Sequence, residues 1–167
     1  DDGGIKAGAE VEIEGPYGMC FRREGRDGPV ILVGAGSGMS PVWSILNDQV
    51  VSGEERPIYF FYGARSQSDL FKLDEIKVLT DAHPNVEFIP VLSHEPEDSG
   101  WAGERGFVHE CVDARLKAID CDGEGDVYAC GPPPMIDALT PVLFMRNFET
   151  DRIFYDKFTP TSGSSGH

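Results

Sequence analysis

Short continuous runs of apolar residues recur along the chain, and most end in Gly or Pro. We expect β-strands at residues 29–33, 58–62, 86–92, 126–130 and 152–155. Strands buried on both faces of a parallel sheet have this composition. A shorter alternating segment at residues 11–14 predicts one further strand ahead of them, broken at Gly15.

Apolar positions at helical spacing lie between these runs. They predict helices at residues 41–51, 69–80, 107–119 and 135–146. Ser40 is a suitable N-cap, with Pro41 at the first helical position. Strand and helix therefore alternate four times before a closing strand. We expect the α/β class: a doubly wound, five-stranded parallel sheet with helices on both faces.

Composition narrows the classes of partner. The 167 residues suit one domain, and the net charge is −15. Nucleic acid and anionic membranes are unsuitable partners, because both attract positively charged surfaces. The longest apolar run is far shorter than the ~20 residues that span a bilayer. Four cysteines without CxxC spacing predict free thiols in a cytoplasmic protein. A zinc site usually needs two close pairs of ligands, and His109 with Cys111 is a single loose pair, so we expect no metal site.

A glycine-rich loop follows the first buried strand. Gly34-Ala35-Gly36-Ser37-Gly38-Met39-Ser40-Pro41 joins that strand to a helix, whose unpaired backbone amides attract anions. Glycines let a pyrophosphate approach the backbone closely. The dinucleotide fingerprint G-x-G-x-x-G is incomplete, because Met39 replaces its last glycine. Gly63-Ala64-Arg65 stands where the usual acidic residue would follow the second strand.

A second loop, Cys130-Gly131-Pro132-Pro133-Pro134-Met135, follows the fourth buried strand. Open parallel sheets bind ligands at the carboxyl ends of their strands, so both loops are candidate site segments. The rigid turn would hold the Cys130 thiol at the sheet edge. The alternative is an ordinary buried cysteine.

These two loops together resemble the ferredoxin–NADP reductase superfamily. Further segments resemble the reductase components of bacterial multicomponent monooxygenases, of the phenol hydroxylase and soluble methane monooxygenase types. They are Gly15-Pro16-Tyr17-Gly18, Tyr62-Gly63-Ala64-Arg65, Asp69-Leu70-Phe71, Trp101-Ala102-Gly103 and Asp156-Lys157-Phe158. The resemblance covers about residues 11 to 159.

The resemblance implies three modules: a [2Fe–2S] domain, a flavin-binding barrel for FAD and a nicotinamide domain. Residues 1–22 would be the end of the barrel, residues 23–160 the NAD(P)-binding domain and residues 161–167 a mobile tail. The family's Arg-x-Tyr-Ser and four-cysteine motifs are absent from this sequence. Electrons would pass from NADH through flavin to a diiron hydroxylase, and the N-terminus reads as a cut inside a longer chain.

The resemblance also implies residue roles. Gly34, Gly36, Gly38 and Ser40 would cradle the pyrophosphate, and Cys130 would be the catalytic residue near nicotinamide C4, in a pocket shaped by Gly131 and Pro132. Asp69 would be a ribose contact or a helix cap; Tyr17 and Phe158 would contact flavin or only pack. The remaining expected cofactor contacts are Ala35, Ser37, Pro41, Gly63, Ala64, Arg65, Ser93, His94, Pro133 and Met135.

Charge distinguishes the two nicotinamide nucleotides. NADP-using relatives place Arg after Ser at the end of the third strand, where this chain has Ser93-His94-Glu95. Glu95 would repel a 2′-phosphate, whereas Arg65 would attract it. The balance favours NADH. Two alternatives remain: a nucleotide-sensing domain without redox chemistry, and a doubly wound domain whose loops are only structural.

Overall fold

A computed structural model describes residues 6–12, 14–15 and 17–158. Within these residues, six parallel strands form one sheet in the order β4-β3-β2-β1-β5-β6. The strands are β1 (Val30–Ala35), β2 (Ile58–Ala64), β3 (Val86–Leu92), β4 (Glu104–Arg105), β5 (Asp126–Gly131) and β6 (Ile153–Lys157). The helices are α1 (Met39–Val51), α2 (Leu73–Ala82), α3 (Val108–Ala118) and α4 (Pro133–Met145). The prediction of a parallel α/β sheet is confirmed, but the strand number of five is wrong.

The additional strand is β4, in a segment expected to be a loop. Glu104 and Arg105, which are exposed, pair with Val91 and Leu92 of β3. Backbone hydrogen bonds alone define this strand. A strand of two polar residues leaves no hydrophobic pattern in the sequence.

Each buried strand supplies two hydrophobic cores. Val30 and Leu32 of β1 pack on the face covered by α1 and α2, whereas Ile31 and Val33 pack on the face covered by α3 and α4. Successive side chains of a strand point to opposite faces, so a continuous apolar run serves both. Helices therefore cover both faces, as expected.

The sheet reverses its direction of growth beside β1. The chain builds outward from β1 through β2 and β3 to β4, then returns to place β5 on the other side of β1. Strands β1 and β5 are thus neighbours whose following loops diverge to opposite faces. Open α/β sheets bind ligands at such a switch point.

Three helix starts differ from expectation by two residues or more. Helix α1 begins at Met39, because a short 3-10 turn, Gly36–Gly38, runs directly into it. Ser40 therefore lies inside the first turn and does not cap the helix. Helix α2 begins at Leu73 rather than at residue 69, since Lys72 adopts a left-handed conformation with φ of 61°. Helix α4 starts at Pro133, because proline is tolerated in a first helical turn.

The segment before β1 does not form the predicted strand. Val11, Glu12 and Glu14 are irregular, and Ile13, Pro16 and residues 1–5 and 159–167 lie outside the described residues. The predicted tail at residues 161–167 falls in that last range. Of the helices that the structure describes, none combines the length and apolar character that crossing a bilayer requires.

Candidate functional site

A cavity of about 1260 Å³ opens at the carboxyl ends of β1, β2 and β3 and beside the loop after β5. It lies at the switch point of the sheet. Twelve of the sequence-predicted residues line it: Ala35, Gly36, Ser37, Gly63, Ala64, Arg65, Asp69, Ser93, His94, Pro132, Met135 and Phe158. The remaining eight do not: Tyr17, Gly34, Gly38, Ser40, Pro41, Cys130, Gly131 and Pro133.

The three loop glycines serve different purposes. Gly36 has a φ of +55°, and a Cβ built on it would meet no atom within 4 Å, so its Cα borders open space. Gly38 instead packs against β5, where a Cβ would lie within 2.5 Å of three backbone atoms of Cys130 and Gly131. A Cβ built on Gly34 would lie 3.3 Å from the Met39 Cα. Only Gly36 of the three therefore presents bare backbone to the cavity.

The start of α1 is open to an anion. Gly38 occupies its N-cap position, and no side chain in the described part of the chain caps it. The first turn also carries no acidic residue. The Met39 amide already bonds to the Gly36 and Ser37 carbonyls, so the unpaired amides with partial positive charge at this end belong to the preceding 3-10 turn, at the cavity-lining Gly36 and Ser37.

The loop after β5 forms the opposite wall. Pro132, Pro134 and Met135 line the cavity, and the Met135 side chain covers Gly131, where a Cβ would lie 2.6 Å from the methionine Cε. Phe158 lines the cavity as well, and its amide donates a 2.8 Å hydrogen bond to the Gly131 carbonyl. The wall is therefore apolar and tied to the chain beyond β6.

Cys130 is fully buried and does not line the cavity. Its side chain belongs to the core on the α1 and α2 face, and Cys20 of the N-terminal segment packs against that core. A hydrogen bond with Cys20 lowers the pKa of the Cys130 thiol, and the same contact together with burial raises the pKa of Cys20. The thiol therefore faces another cysteine rather than open space.

Two loops bring charge to the cavity rim. Asp69 accepts hydrogen bonds from the Ser66 amide (2.9 Å) and hydroxyl (2.8 Å), which lower the pKa of its carboxyl group. Glu95 accepts a 2.9 Å bond from the Gln67 amide, and bonding to Gln67 lowers the pKa of Glu95. Arg65 is thus a cation at a rim where two neighbouring loops carry the carboxylates of Asp69 and Glu95. Asp69 is the third residue of a short 3-10 turn and forms a capping box with Ser66 at the N-cap.

An aromatic pair that the sequence did not reveal lies on the cavity wall. Phe107 and His109 line the cavity and stack with ring centroids 5.9 Å apart and planes 21° apart. They stand where α3 begins, directly after the unpredicted β4. The other lining residues without a sequence prediction are Val91, Gly106, Val108, Pro134, Ala138 and Lys157. Within the described ranges, no three His, Cys, Asp or Glu side chains converge as a metal site.

Tyr17 stands apart from this group. Its side chain is 74% exposed, and no contact places it on the cavity wall. Lys157 stands at the rim instead, paired with Asp137 of α4 at 2.6 Å. The described site therefore combines a backbone anion cradle, an apolar wall, an aromatic pair and a rim of mixed charge.

Curated relatives of this chain are reductase components. It is 40% identical over 161 residues to the propane 2-monooxygenase reductase component of Mycolicibacterium goodii, covering 95% of this chain and 45% of the relative. It is 37% identical over 163 residues to the phenol 2-monooxygenase reductase component DmpP of Pseudomonas sp. (strain CF600), covering 97% and 45%. The chain thus spans about half the length of these relatives.

A solved structure shares the fold. The Amycolatopsis cytochrome P450 reductase GcoB superposes with a TM-score of 0.80 at 31% sequence identity, covering 95% of this chain and 47% of that one. The family model described as "Oxidoreductase NAD-binding domain" matches residues 32–140, from β1 into α4. The resemblance drawn from the two loops is confirmed, and this chain belongs to the family of oxidoreductase NAD-binding domains.

Proposed function

We propose that this chain is the NADH-binding module of a larger reductase that feeds electrons to a monooxygenase. The observation that carries the proposal is the cavity at the switch point, bordered by left-handed Gly36 and the uncapped start of α1. A dinucleotide carries a pyrophosphate, which this arrangement is suited to hold.

The cavity has the capacity for a dinucleotide. Its volume of about 1260 Å³ exceeds the ~300–1,000 Å³ of ordinary small-molecule pockets. Gly36 and Ser37 would hold the pyrophosphate at its centre. The Phe107–His109 pair offers a flat surface on which an adenine ring stacks, and Pro132, Met135 and Phe158 offer an apolar wall to the nicotinamide.

Charge at the rim favours NADH over NADPH. Arg65 is the cation that would attract a 2′-phosphate, but Asp69 lies close enough to feel its charge and Glu95 bonds to the neighbouring loop. Low pKa values keep both carboxylates ionised at neutral pH. Asp69 and Glu95 therefore weaken the attraction that Arg65 would exert on a dianionic 2′-phosphate, whereas the hydroxyls of NADH do not need that cation.

NADH would supply a hydride to a flavin, and the chain's own residues would orient the ring that donates it. The expected role of Cys130 beside nicotinamide C4 is part of this proposal. Its thiol lies one residue before the Gly131–Pro132 wall, beneath Cys20. We therefore propose that Cys130 contacts the ring only after the segment carrying Cys20 shifts.

The remaining electron carriers would lie outside this chain. The relatives are named as reductase components, and this chain spans less than half of each. We propose that FAD and a [2Fe–2S] cluster occupy further domains and that a diiron hydroxylase is the acceptor. The Amycolatopsis structural relative is a cytochrome P450 reductase, so this fold serves more than one kind of acceptor.

Nucleotide titration tests the proposal directly. The chain is titrated with NADH and with NADPH while tryptophan emission is followed, Trp43 lying in α1 directly after the glycine loop. We expect saturable quenching with preference for NADH. Preference for NADPH would overturn the charge argument, and absence of binding in the intact protein would overturn the function.

A matched pair of glycine variants locates the binding site. Gly36→Val adds a side chain to the proposed cradle and should weaken NADH binding at least tenfold. Gly53→Val is the control: Gly53 also has a positive φ (+75°) and open space around its Cα, but it lies after α1, away from the cavity lining. Equal effects of both variants on binding would defeat the assignment of the cradle.

Electron transfer separates the enzyme from a nucleotide sensor. In the intact reductase, stopped-flow mixing with NADH should bleach the flavin band, and Cys130→Ser should slow that step while NADH affinity stays nearly unchanged. A nucleotide-binding protein without flavin reduction would support the sensor instead. An unchanged rate in the variant would remove Cys130 from the reacting site.

A further inference from the structure

Two cysteines far apart in sequence meet on one face of the sheet. Cys130, in β5, is fully buried, and Cys20, in the segment before β1, is partly exposed and packs over the same core. Packing on the shared core brings the two thiols near each other, and each shifts the other's pKa, raising that of Cys20 and lowering that of Cys130. The function proposed above uses Cys130 but gives Cys20 no role.

Independent contacts hold Cys20 in this position. The Met19 and Cys20 amides donate to the Asp156 carboxylate at 3.0 and 3.3 Å. Asp156 is the register partner of Cys130 across β5 and β6, so it lies beside the buried thiol. Gly18, with φ of +89°, leaves room for the same carboxylate.

The next residues anchor the segment on the other side. The Arg23 amide donates to the Tyr128 hydroxyl at 2.9 Å, and the Arg23 guanidinium lies 3.4 Å from the Phe21 ring centroid and 4.7 Å from that of Phe154. Cys20 is thus fixed from both sides, over the core that contains Cys130. Holding both thiols in place favours a bond between them over further oxidation of one sulfur.

We propose that Cys20 and Cys130 form a redox pair that a hydroperoxide converts to a disulfide. One of the two thiols, through its thiolate, takes one oxygen from the hydroperoxide, giving a sulfenic acid and releasing the alcohol, or water from hydrogen peroxide. The other sulfur then attacks the sulfenic sulfur, the S–S bond forms, and the sulfenic oxygen leaves as water with the thiol proton. The two sulfurs lose two electrons in total, and the O–O bond gains them.

The disulfide would act on the N-terminal segment. It would join that segment covalently to the end of β5 and keep Cys20 over Cys130. If the proposed function holds, it would also remove the Cys130 thiol from the nicotinamide side of the site. The cross-link itself does not depend on nucleotide binding.

The other two cysteines serve as internal controls. Cys111 and Cys121 belong to the core on the opposite face of the sheet, under α3 and α4. The Cys121 thiol donates to the Glu124 carbonyl at 3.1 Å, and burial raises the pKa of Cys111 to about 11. The sheet separates both from Cys20, so neither can take the place of Cys130.

Peptide mapping after peroxide treatment tests the pair. The reduced chain is treated with hydrogen peroxide, alkylated and digested, and its intact mass and cross-linked peptides are measured. We expect a loss of two hydrogen masses, a Cys20–Cys130 peptide that dithiothreitol cleaves, and a melting temperature raised by about 5–10 °C. The Cys111→Ser/Cys121→Ser double variant should behave identically, whereas Cys20→Ser and Cys20→Ala should form no cross-link.

Several outcomes would overturn the proposal. These are four free thiols after treatment, sulfinic or sulfonic acid on Cys20 with Cys130 still free, or a cross-link that involves Cys111 or Cys121. Because the deciding readouts are masses, failure of the redox pair is distinguishable from failure to bind NADH.

Discussion

Gly38 offers a sharp test of how the glycine loop is built. Its backbone is helical, with φ of −64°, so alanine there meets no conformational penalty. An alanine Cβ, however, would lie 2.1 Å from the Cys130 carbonyl oxygen and 2.3 Å from its carbon. Ordinary van der Waals contact begins near 3.4 Å, so the loop and the end of β5 must separate by about 1.3 Å.

Backbone atoms of a central strand cannot rotate away as a side chain could. We therefore expect Gly38→Ala to lower the free energy of unfolding by about 2–3 kcal/mol, the range for overpacking a tight core. Gly36→Ala is the matched control, because its Cβ would meet nothing and only the positive φ opposes it, at a cost of about 1 kcal/mol.

Urea unfolding at 25 °C, followed by circular dichroism, measures both variants against the parent chain. The expected order is parent, then Gly36→Ala, then Gly38→Ala, with unchanged slopes. A Gly38→Ala variant as stable as Gly36→Ala would refute the reasoning, since it would mean that the loop does not contact β5 closely. For NADH binding the expected order is reversed. Relative to the stability that each variant loses, Gly36→Ala should weaken NADH binding more than Gly38→Ala, because Gly36 borders the cavity.

Three further predictions follow from charged contacts. Arg56→Met should lower the free energy of unfolding by about 2–3 kcal/mol in urea, because the fully buried Asp126 carboxylate loses its 3.2 Å partner while two more distant arginines remain; a loss under about 1 kcal/mol would contradict a buried ion pair. The Arg56 contact lowers the pKa of the Glu54 carboxyl below 4.5, so the contribution of Glu54 to stability is present above pH 4.5 and is lost as the pH falls through the lowered pKa. Glu54→Gln should therefore make the free energy of unfolding less dependent on pH in the acid range. Glu95→Gln should reduce the preference for NADH over NADPH about fivefold in paired titrations, by removing a charge that repels the 2′-phosphate; an unchanged ratio would assign the preference elsewhere.

Part of the candidate site was predictable because its signal is local. The glycine loop and the loop after Cys130 each follow a buried strand and open a helix, a pattern that a few adjacent residues express. Twelve of the twenty predicted residues line the cavity. Gly38 is among the eight that do not, although it stands only two residues from Gly36 in the same loop. Their difference lies in the neighbouring β5 backbone, which the local sequence does not report.

Other site residues were not predictable, because contacts between distant segments place them. Phe107 and His109 reach the cavity through the turn out of β4, a strand of two polar residues without a periodic pattern. Cys130 has the sequence position of a site residue but the surroundings of a core residue, since residues 18–23 fold across it. The predicted helical residues before Leu73 were wrong for a similar reason. Lys72 adopts a left-handed conformation, which helix propensity does not indicate.

The sequence by itself determined the alternation of strands and helices, the parallel sheet and the two loops at its carboxyl edge. Burial on both faces requires continuous apolar runs, and each run is written within a few consecutive residues. Only the tertiary structure decided which glycine borders open space, where the rim charges stand and that Cys20 covers Cys130. Those features depend on backbone atoms and side chains brought together from segments far apart along the chain, and no local pattern records that proximity.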